Sequence, residues 1–317
     1  MKKMENTVHC EGYLYEHNLT KKVTGPNSKK PGTEFISGTF SLATDENLTN
    51  IVEFHYTYAT AVTSSGKNNA TYGYLSDIID GKLKTAMEAG KEGAAKLRID
   101  SAFGLNDFYV EENGEWRLVS VRRNEGGFIH LITEVNEADC NKFRADVVLT
   151  KFTRLEVDPE KNLPERGIMS GVGFDFRGQL LPMDFVIYNP EGLDYLDGCE
   201  ISNKNPLCTW VFGQQVSTTI KIEKIEHSAF GGDVVTESSS TKKECVVTKM
   251  SDVPYEWDTE EFVTSEKLNT LVADRETYLA GVKQRAIEWK KQKAQNAATA
   301  SAPSQPAVSV SSGGFNF

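Results

Sequence analysis

The stretch Phe35-Ile36-Ser37-Gly38-Thr39-Phe40-Ser41-Leu42 places Ile36, Phe40 and Leu42 on one face and Ser37, Thr39 and Ser41 on the other. That period of two predicts a strand with one buried face. The same Ser-Gly step recurs in Ile168-Met169-Ser170-Gly171-Val172-Gly173-Phe174-Asp175-Phe176. Each copy follows a predicted strand, Val8 to Tyr15 or Ala145 to Leu155, and a turn-rich loop holding Pro and Lys. Each precedes a third strand with aromatic side chains, Ile51 to Ala59 or Leu180 to Tyr188. The repeated order predicts two copies of one small β unit.

Outward from these cores, Tyr74 to Ala89 has apolar residues at helical spacing, which predicts a small helix. Strands are predicted at Lys96 to Phe103, Trp116 to Arg122 and Gly127 to Thr133, with Asn113-Gly114 as a hairpin turn. In the second unit, Asn189-Pro190-Glu191-Gly192 ends a strand, Trp210 to Ile225 carries a bend or bulge at Gly213, and Glu244 to Met250 closes the set. Phe54, Tyr56 and Tyr58 share a face with Val52 and are assigned to the core, as are Phe174 and Phe176. After Met250 come an acidic run (Asp252, Glu256, Asp258, Glu260, Glu261) and an amphipathic helix from Ser265 to Lys293. Residues 294–317 carry no charged side chain and end in Phe315-Asn316-Phe317. The expected domains are 1–138, 139–251, an acidic linker and helix at 252–293, and a disordered tail at 294–317.

The chain has 317 residues and a net charge of −10, with ordinary hydrophobic content, which excludes wholesale disorder. Its five cysteines are widely spaced with no CxxC, so buried free thiols in a reducing cytoplasm are expected rather than a disulfide or zinc framework. No phosphate-binding loop, nucleophile elbow or HExxH is present, and Gly171-Val172-Gly173 lies within a strand rather than before a helix. Asp175 and Asp184, on neighbouring strands, are the one carboxylate pair offering a metal or catalytic site. The expectation is a non-enzymatic binding protein with no cofactor and no metal.

Short strands, a helix between the third and fourth, and units of about 110 to 130 residues resemble the oligonucleotide/oligosaccharide-binding (OB) barrel. Two in tandem, then a helix and a charge-free tail, resemble bacteriophage single-stranded-DNA-binding proteins. The resemblance rests on this architecture and on VHCEGYLYEHN (8–18), EFISGTF (34–40), GIMSGVGFDF (167–176) and KNPLCTWVFGQQVSTTIKIEK (204–224). It implies a mainly β fold of two OB-like barrels, and single-stranded DNA as partner during replication or recombination in the host cytoplasm.

Such binding needs rings for stacking and cations for phosphates. On the non-core faces stand Tyr13, Tyr15, Phe152 and Arg154. Trp210 and Phe212 share a face that alternation leaves undecided, because Val211 is apolar too. Lys21, Lys22, Lys29 and Lys30 cluster in the first loop, Arg122 and Arg123 end a strand, and Arg177 and Lys221 belong to the second unit. In the resembled families a tail tip recruits replication proteins, which assigns that role to Phe315 and Phe317. The sequence also fits two rivals: a virion structural protein of β domains, and a metal-dependent nuclease using Asp175 and Asp184.

Overall fold

The computed structural model describes residues 3–159, 163–227 and 233–300, without the side chains of 219–227, 233–240 and 296–300. The described chain is mainly β, with a long helix toward its C-terminal end. The first half contains β1 (Asn6–His17), β2 (Thr20–Val23), β3 (Glu34–Ala43), β4 (Ile51–Thr60), α1 (Ala70–Ile79), α2 (Ala86–Gly93), β5 (Lys96–Glu112) and β6 (Glu115–Leu131). The second contains β7 (Asn141–Leu155), β8 (Arg166–Phe174), β9 (Leu180–Ile187), α3 (Pro190–Gly198), β10 (Leu207–His227), β11 (Asp233–Met250) and α4 (Ser265–Ala300).

Strand pairing repeats in the two halves. In the first it runs from β1 through β5, β6, β4 and β3 back to β1; in the second, from β7 through β8, β9, β11 and β10 back to β7. Each circuit contains one parallel contact of only one or two residue pairs. These are Phe54↔Asn124 and His55↔Glu125 between β4 and β6, and Val246↔Val186 between β11 and β9. An antiparallel ladder from Asn6↔Ala145 to Cys10↔Asn141 joins β1 to β7 and so links the circuits. The Asn6 amide bridges both: its Nδ2 donates to the carbonyls of Phe103 and Phe174, each at 3.0 Å, and its Oδ1 accepts from Phe103 N at 2.9 Å.

The alternating residues supply the core. Val8, Cys10 and Leu14 of β1 pack with Ile36, Phe40 and Leu42 of β3, and with Phe143, Met169 and Phe185 from the second half. Ser37 and Ser41 are also buried, so β3 is covered on both faces there. The Ser-Gly echo has one physical cause in both halves. A Cβ at Gly38 would lie 2.7 Å from the Asn18 carbonyl oxygen, and one at Gly171 would lie 2.2 Å from that of Val148. The second strand of each circuit crosses against backbone where only glycine leaves room.

Several local expectations change. The region predicted as one helix at 74–89 is two, α1 and α2, divided by a turn with Gly81 at φ 71°. Thr85 and Glu88 form a reciprocal cap that starts α2. Asn189 does not merely end β9; its side chain accepts from Gly192 N at 3.1 Å and caps α3, with Pro190 in the first turn. The segments Trp116–Arg122 and Gly127–Thr133 belong largely to one strand, β6, which passes through Gly126 and Gly127 at positive φ. Asn113-Gly114 forms the β5–β6 turn as expected, both residues at positive φ. The segment before α4 is acidic, yet Tyr255 stacks on Phe262 at 4.6 Å and Phe262 is buried against Phe174. α4 continues to Ala300, past the 294 boundary expected for the tail.

The contacts divide the chain into two compact units: Met1–Asn106 with Val121–Arg275, and Asp107–Ser120 with Glu276–Phe317. Both strand circuits belong to the first. In the second, the β5–β6 tip meets the distal part of α4 through Lys290 with Glu111, and through Lys283 over the Tyr109 ring at 5.8 Å. No described helix is long and apolar enough to cross a membrane.

Candidate nucleic-acid interface

The first aromatic and basic patch lies on β2, β3 and β4. Register places Lys22 opposite Phe35, and Phe35 opposite Thr60. The rings of Phe35 and Tyr58 meet with centroids 4.7 Å apart, and Tyr58 is 50% exposed. Simple alternation assigns Tyr58 to the core with Phe54 and Tyr56, and that assignment is wrong. Ile36 pairs with Ala59 but Gly38 pairs with Tyr56, so β4 carries one extra residue between these points. A bulge inverts the side-chain phase beyond it, turning Ala59 inward and Tyr58 outward.

The predicted loop lysines divide by face. Lys22, Lys29 and Lys30 are exposed. The loop carrying Lys29 and Lys30 is closed by Thr24, whose hydroxyl donates to the Lys30 carbonyl and accepts from Thr33 N. Lys21 turns elsewhere and pairs with Asp80 at 2.8 Å, and this hydrogen bond lowers the Asp80 carboxyl below its ordinary range.

A second patch lies on β10. Val211 is fully buried, which puts Trp210 and Phe212 together on the opposite face, both half-buried. The Arg144 guanidinium sits 4.6 Å from the Trp210 ring centroid while pairing with Glu5 at 2.8 Å. Phe212 lies in register with Arg144 on one side and Lys249 on the other. Between the circuits, Ile51 to Glu53, Arg122 to Asn124, Gln215 to Ser217, Lys243 and Glu244 line a cleft of about 70 Å³. Arg122 donates to the Asp184 carbonyl at 3.0 Å, and Arg123 pairs with Glu125 at 2.5 Å.

Other predicted residues are withdrawn from solvent or neutralised. Tyr13 is only 9% exposed; it packs on Ala86 and Ala94, with Lys91 5.1 Å from its ring centroid. Tyr15 is half-buried beside the same cluster. Phe152 packs on the main core, its ring filling the space left by Gly167. Arg154 holds three carboxylates, Glu165 at 2.6 Å and Asp194 and Asp197 at 2.8 Å, and their hydrogen bonds raise its already high pKa further. That arginine clamps α3 to β7 and offers no free charge to a phosphate. Arg177 is exposed and lies over Phe176 at 4.9 Å. The Lys221 side chain, Phe315 and Phe317 fall outside the described residues.

The carboxylates proposed for a nuclease have separate surroundings. Asp175 Oδ1 accepts from the backbone of Arg177 and Gln179 and so builds a turn, whereas Asp184 is exposed on β9. Among the described residues no group of three His, Cys, Asp or Glu side chains could hold a metal ion.

A family model described as YorF matches residues 5–292. The chain belongs to the YorF family. No curated protein matches it. Among solved structures, a deletion mutant of the single-stranded DNA binding protein from Thermus aquaticus is similar at 9% identity with a TM-score of 0.44. That match covers 82% of this chain and 100% of the other. At that identity the likeness extends no function to this chain.

Sequence reasoning missed Tyr58 and Phe176 as exposed rings, and Phe35 as the half-buried ring that pairs with Tyr58. The Tyr58 phase change has no signal in the alternation itself. Phe176 is 82% exposed because β8 ends at Phe174 and Asp175 opens a turn, with Gly178 at φ 77°. The Asp175 to Gly178 spacing was the available clue.

Proposed function

We propose that this protein binds single-stranded DNA without sequence preference and without cleaving it, through two tandem OB-like barrels spanning residues 1–138 and 139–251. The observation that carries the proposal is the ring pair of half-buried Phe35 on β3 and exposed Tyr58 on β4, beside Lys22 of β2. Support for the barrel assignment comes from the repeated pairing order, the short parallel contact in each circuit, and the helical connection between third and fourth circuit strands, α1 and α2 in the first half and α3 in the second. In such barrels the face of the second and third strands, with the loops flanking it, takes the oligonucleotide. β3 and β4 occupy those places, Lys22 stands on the adjoining β2, and the loop between β2 and β3 carries Lys29 and Lys30.

Ring stacking contributes about 1–3 kcal/mol per base and tolerates any sequence, because every base has a π face. The lysines neutralise phosphates and make the affinity fall with salt. Trp210 and Phe212, with Arg144 and Lys249, extend this chemistry on the second barrel, and Arg122 and Arg123 border the cleft between the two. The role is strand coating in replication or recombination, with Phe315 and Phe317 as the tip that recruits protein partners.

The test is Phe35→Ala and Tyr58→Ala in titrations of a labelled oligo-dT. Each change should weaken binding by about 5- to 150-fold, the equivalent of one lost stacking contact. Wild-type affinity in both variants would overturn the assignment of this face.

A further inference from the structure

In the β-rich unit several candidate cations are already occupied: Lys21 by Asp80, Arg123 by Glu125 and Arg154 by three carboxylates. The distal half of α4 is different. Arg285 and Lys293 have no carboxylate partner among the described residues, and they alternate with two exposed rings, Tyr278 at 45% and Trp289 at 63%. Positions 278, 285 and 289 fall within about 20° of one line on a helix of 3.6 residues per turn. Along the axis, Arg285 follows Tyr278 by about 10 Å and Trp289 follows by about 6 Å more. The Arg285 guanidinium reaches back toward Gly281, about 3.6 Å from where a Cβ on that glycine would stand. Lys293 Nζ sits 5.1 Å from the Trp289 ring centroid, so the cation and the ring form one surface.

A tryptophan is a large apolar side chain that packing ordinarily covers. The apolar residues that hold this helix in place are others. Val282 is buried, Leu279 and Ala286 are half-buried, and Lys283 and Lys290 reach Tyr109 and Trp116 of the β5–β6 tip. Trp289 is therefore not needed for docking the helix. Rings spaced singly between unpaired cations fit a polyanion with stackable bases. A membrane-surface helix instead needs a broad apolar face, and here that face is turned to the β5–β6 tip.

We infer that the Tyr278–Arg285–Trp289–Lys293 stripe of α4 is a second single-stranded nucleic-acid contact, with a base stacked on Trp289 and phosphates on Arg285 and Lys293. The inference rests on the strand-binding reading above but concerns a separate surface. The chain has four tryptophans, at 116, 210, 257 and 289. Full-length protein labelled with 5-fluorotryptophan gives a ¹⁹F resonance for each, and Trp289→Phe assigns the one in question. Addition of oligo-dT should shift and broaden the Trp289 resonance, and Trp289→Ala should weaken oligo-dT binding about 5- to 150-fold. Helix content measured by circular dichroism should stay unchanged. Oligo-dT that binds and leaves the Trp289 signal unmoved would overturn the stripe while the strand-binding reading stands. No binding at all would overturn both. A Trp289 shift produced by phosphatidylserine vesicles and not by oligo-dT would overturn it in favour of a membrane surface.

Discussion

Alanine at the two repeated glycines tests whether the halves are built on one plan. At Gly38, φ is 130°, and an added Cβ would stand 2.7 Å from the Asn18 carbonyl oxygen, 2.8 Å from its Oδ1 and 2.9 Å from Leu19 Cα. A non-glycine residue in that region costs about 1–3 kcal/mol, and overpacking against backbone adds about 1–3 kcal/mol. Gly38→Ala should therefore destabilise by about 2–6 kcal/mol. At Gly171 the overlap alone acts, but it is deeper, 2.2 Å from the Val148 carbonyl oxygen and 2.8 Å from Leu149 Cα. About 3 kcal/mol is expected there, at the upper end for overpacking. Gly178→Ala is the control: φ is 77° and nothing lies within 4 Å, so only the backbone term of about 1–2 kcal/mol applies. Scanning calorimetry reads the difference, with about 2–4 °C of Tm per kcal/mol for a unit of this size. The β1–β7 ladder predicts that either variant lowers one shared transition. If Gly38→Ala and Gly171→Ala cost no more than the control, the close crossing of strands is wrong in both halves.

Three further outcomes follow from named contacts. Asn6→Ala removes three hydrogen bonds that tie β1 to Phe103 and Phe174, and should destabilise by about 2–4 kcal/mol in urea unfolding. Tyr13→Ala should lose stability by about 2–4 kcal/mol and leave the oligo-dT affinity of the folded protein unchanged, since the ring is in a core; an affinity loss without a stability loss would reverse its role. Burial disfavours thiolates, pushing Cys208 up to about 12 and Cys245 up to about 11. Both thiols should stay protonated at pH 8 and resist alkylation, while the half-exposed Cys199 reacts first; mass spectrometry of the modified protein checks the order.

Much of the strand plan was legible because alternation reports a buried face directly, as Val8, Cys10 and Leu14 demonstrate. The repeat was legible because glycine is demanded twice by the same steric contact. Local phase was not. The extra residue in β4 reverses Tyr58, and nothing in a period of two announces where a bulge falls. Charge pairing was hidden for a different reason. Arg154 reads as a free strand cation until α3, about 40 residues away in sequence, brings Asp194 and Asp197 to it. The acidic segment before α4 reads as a linker by charge, yet the two rings at Tyr255 and Phe262 decide its packing.

The central claim is tested most directly by fluorescence anisotropy with a labelled oligo-dT of about 30 nucleotides, at two salt concentrations, against a duplex of equal length. Binding to the single strand alone, weakened as salt rises, is the expected result. No binding at low salt, or equal binding to the duplex, would contradict it.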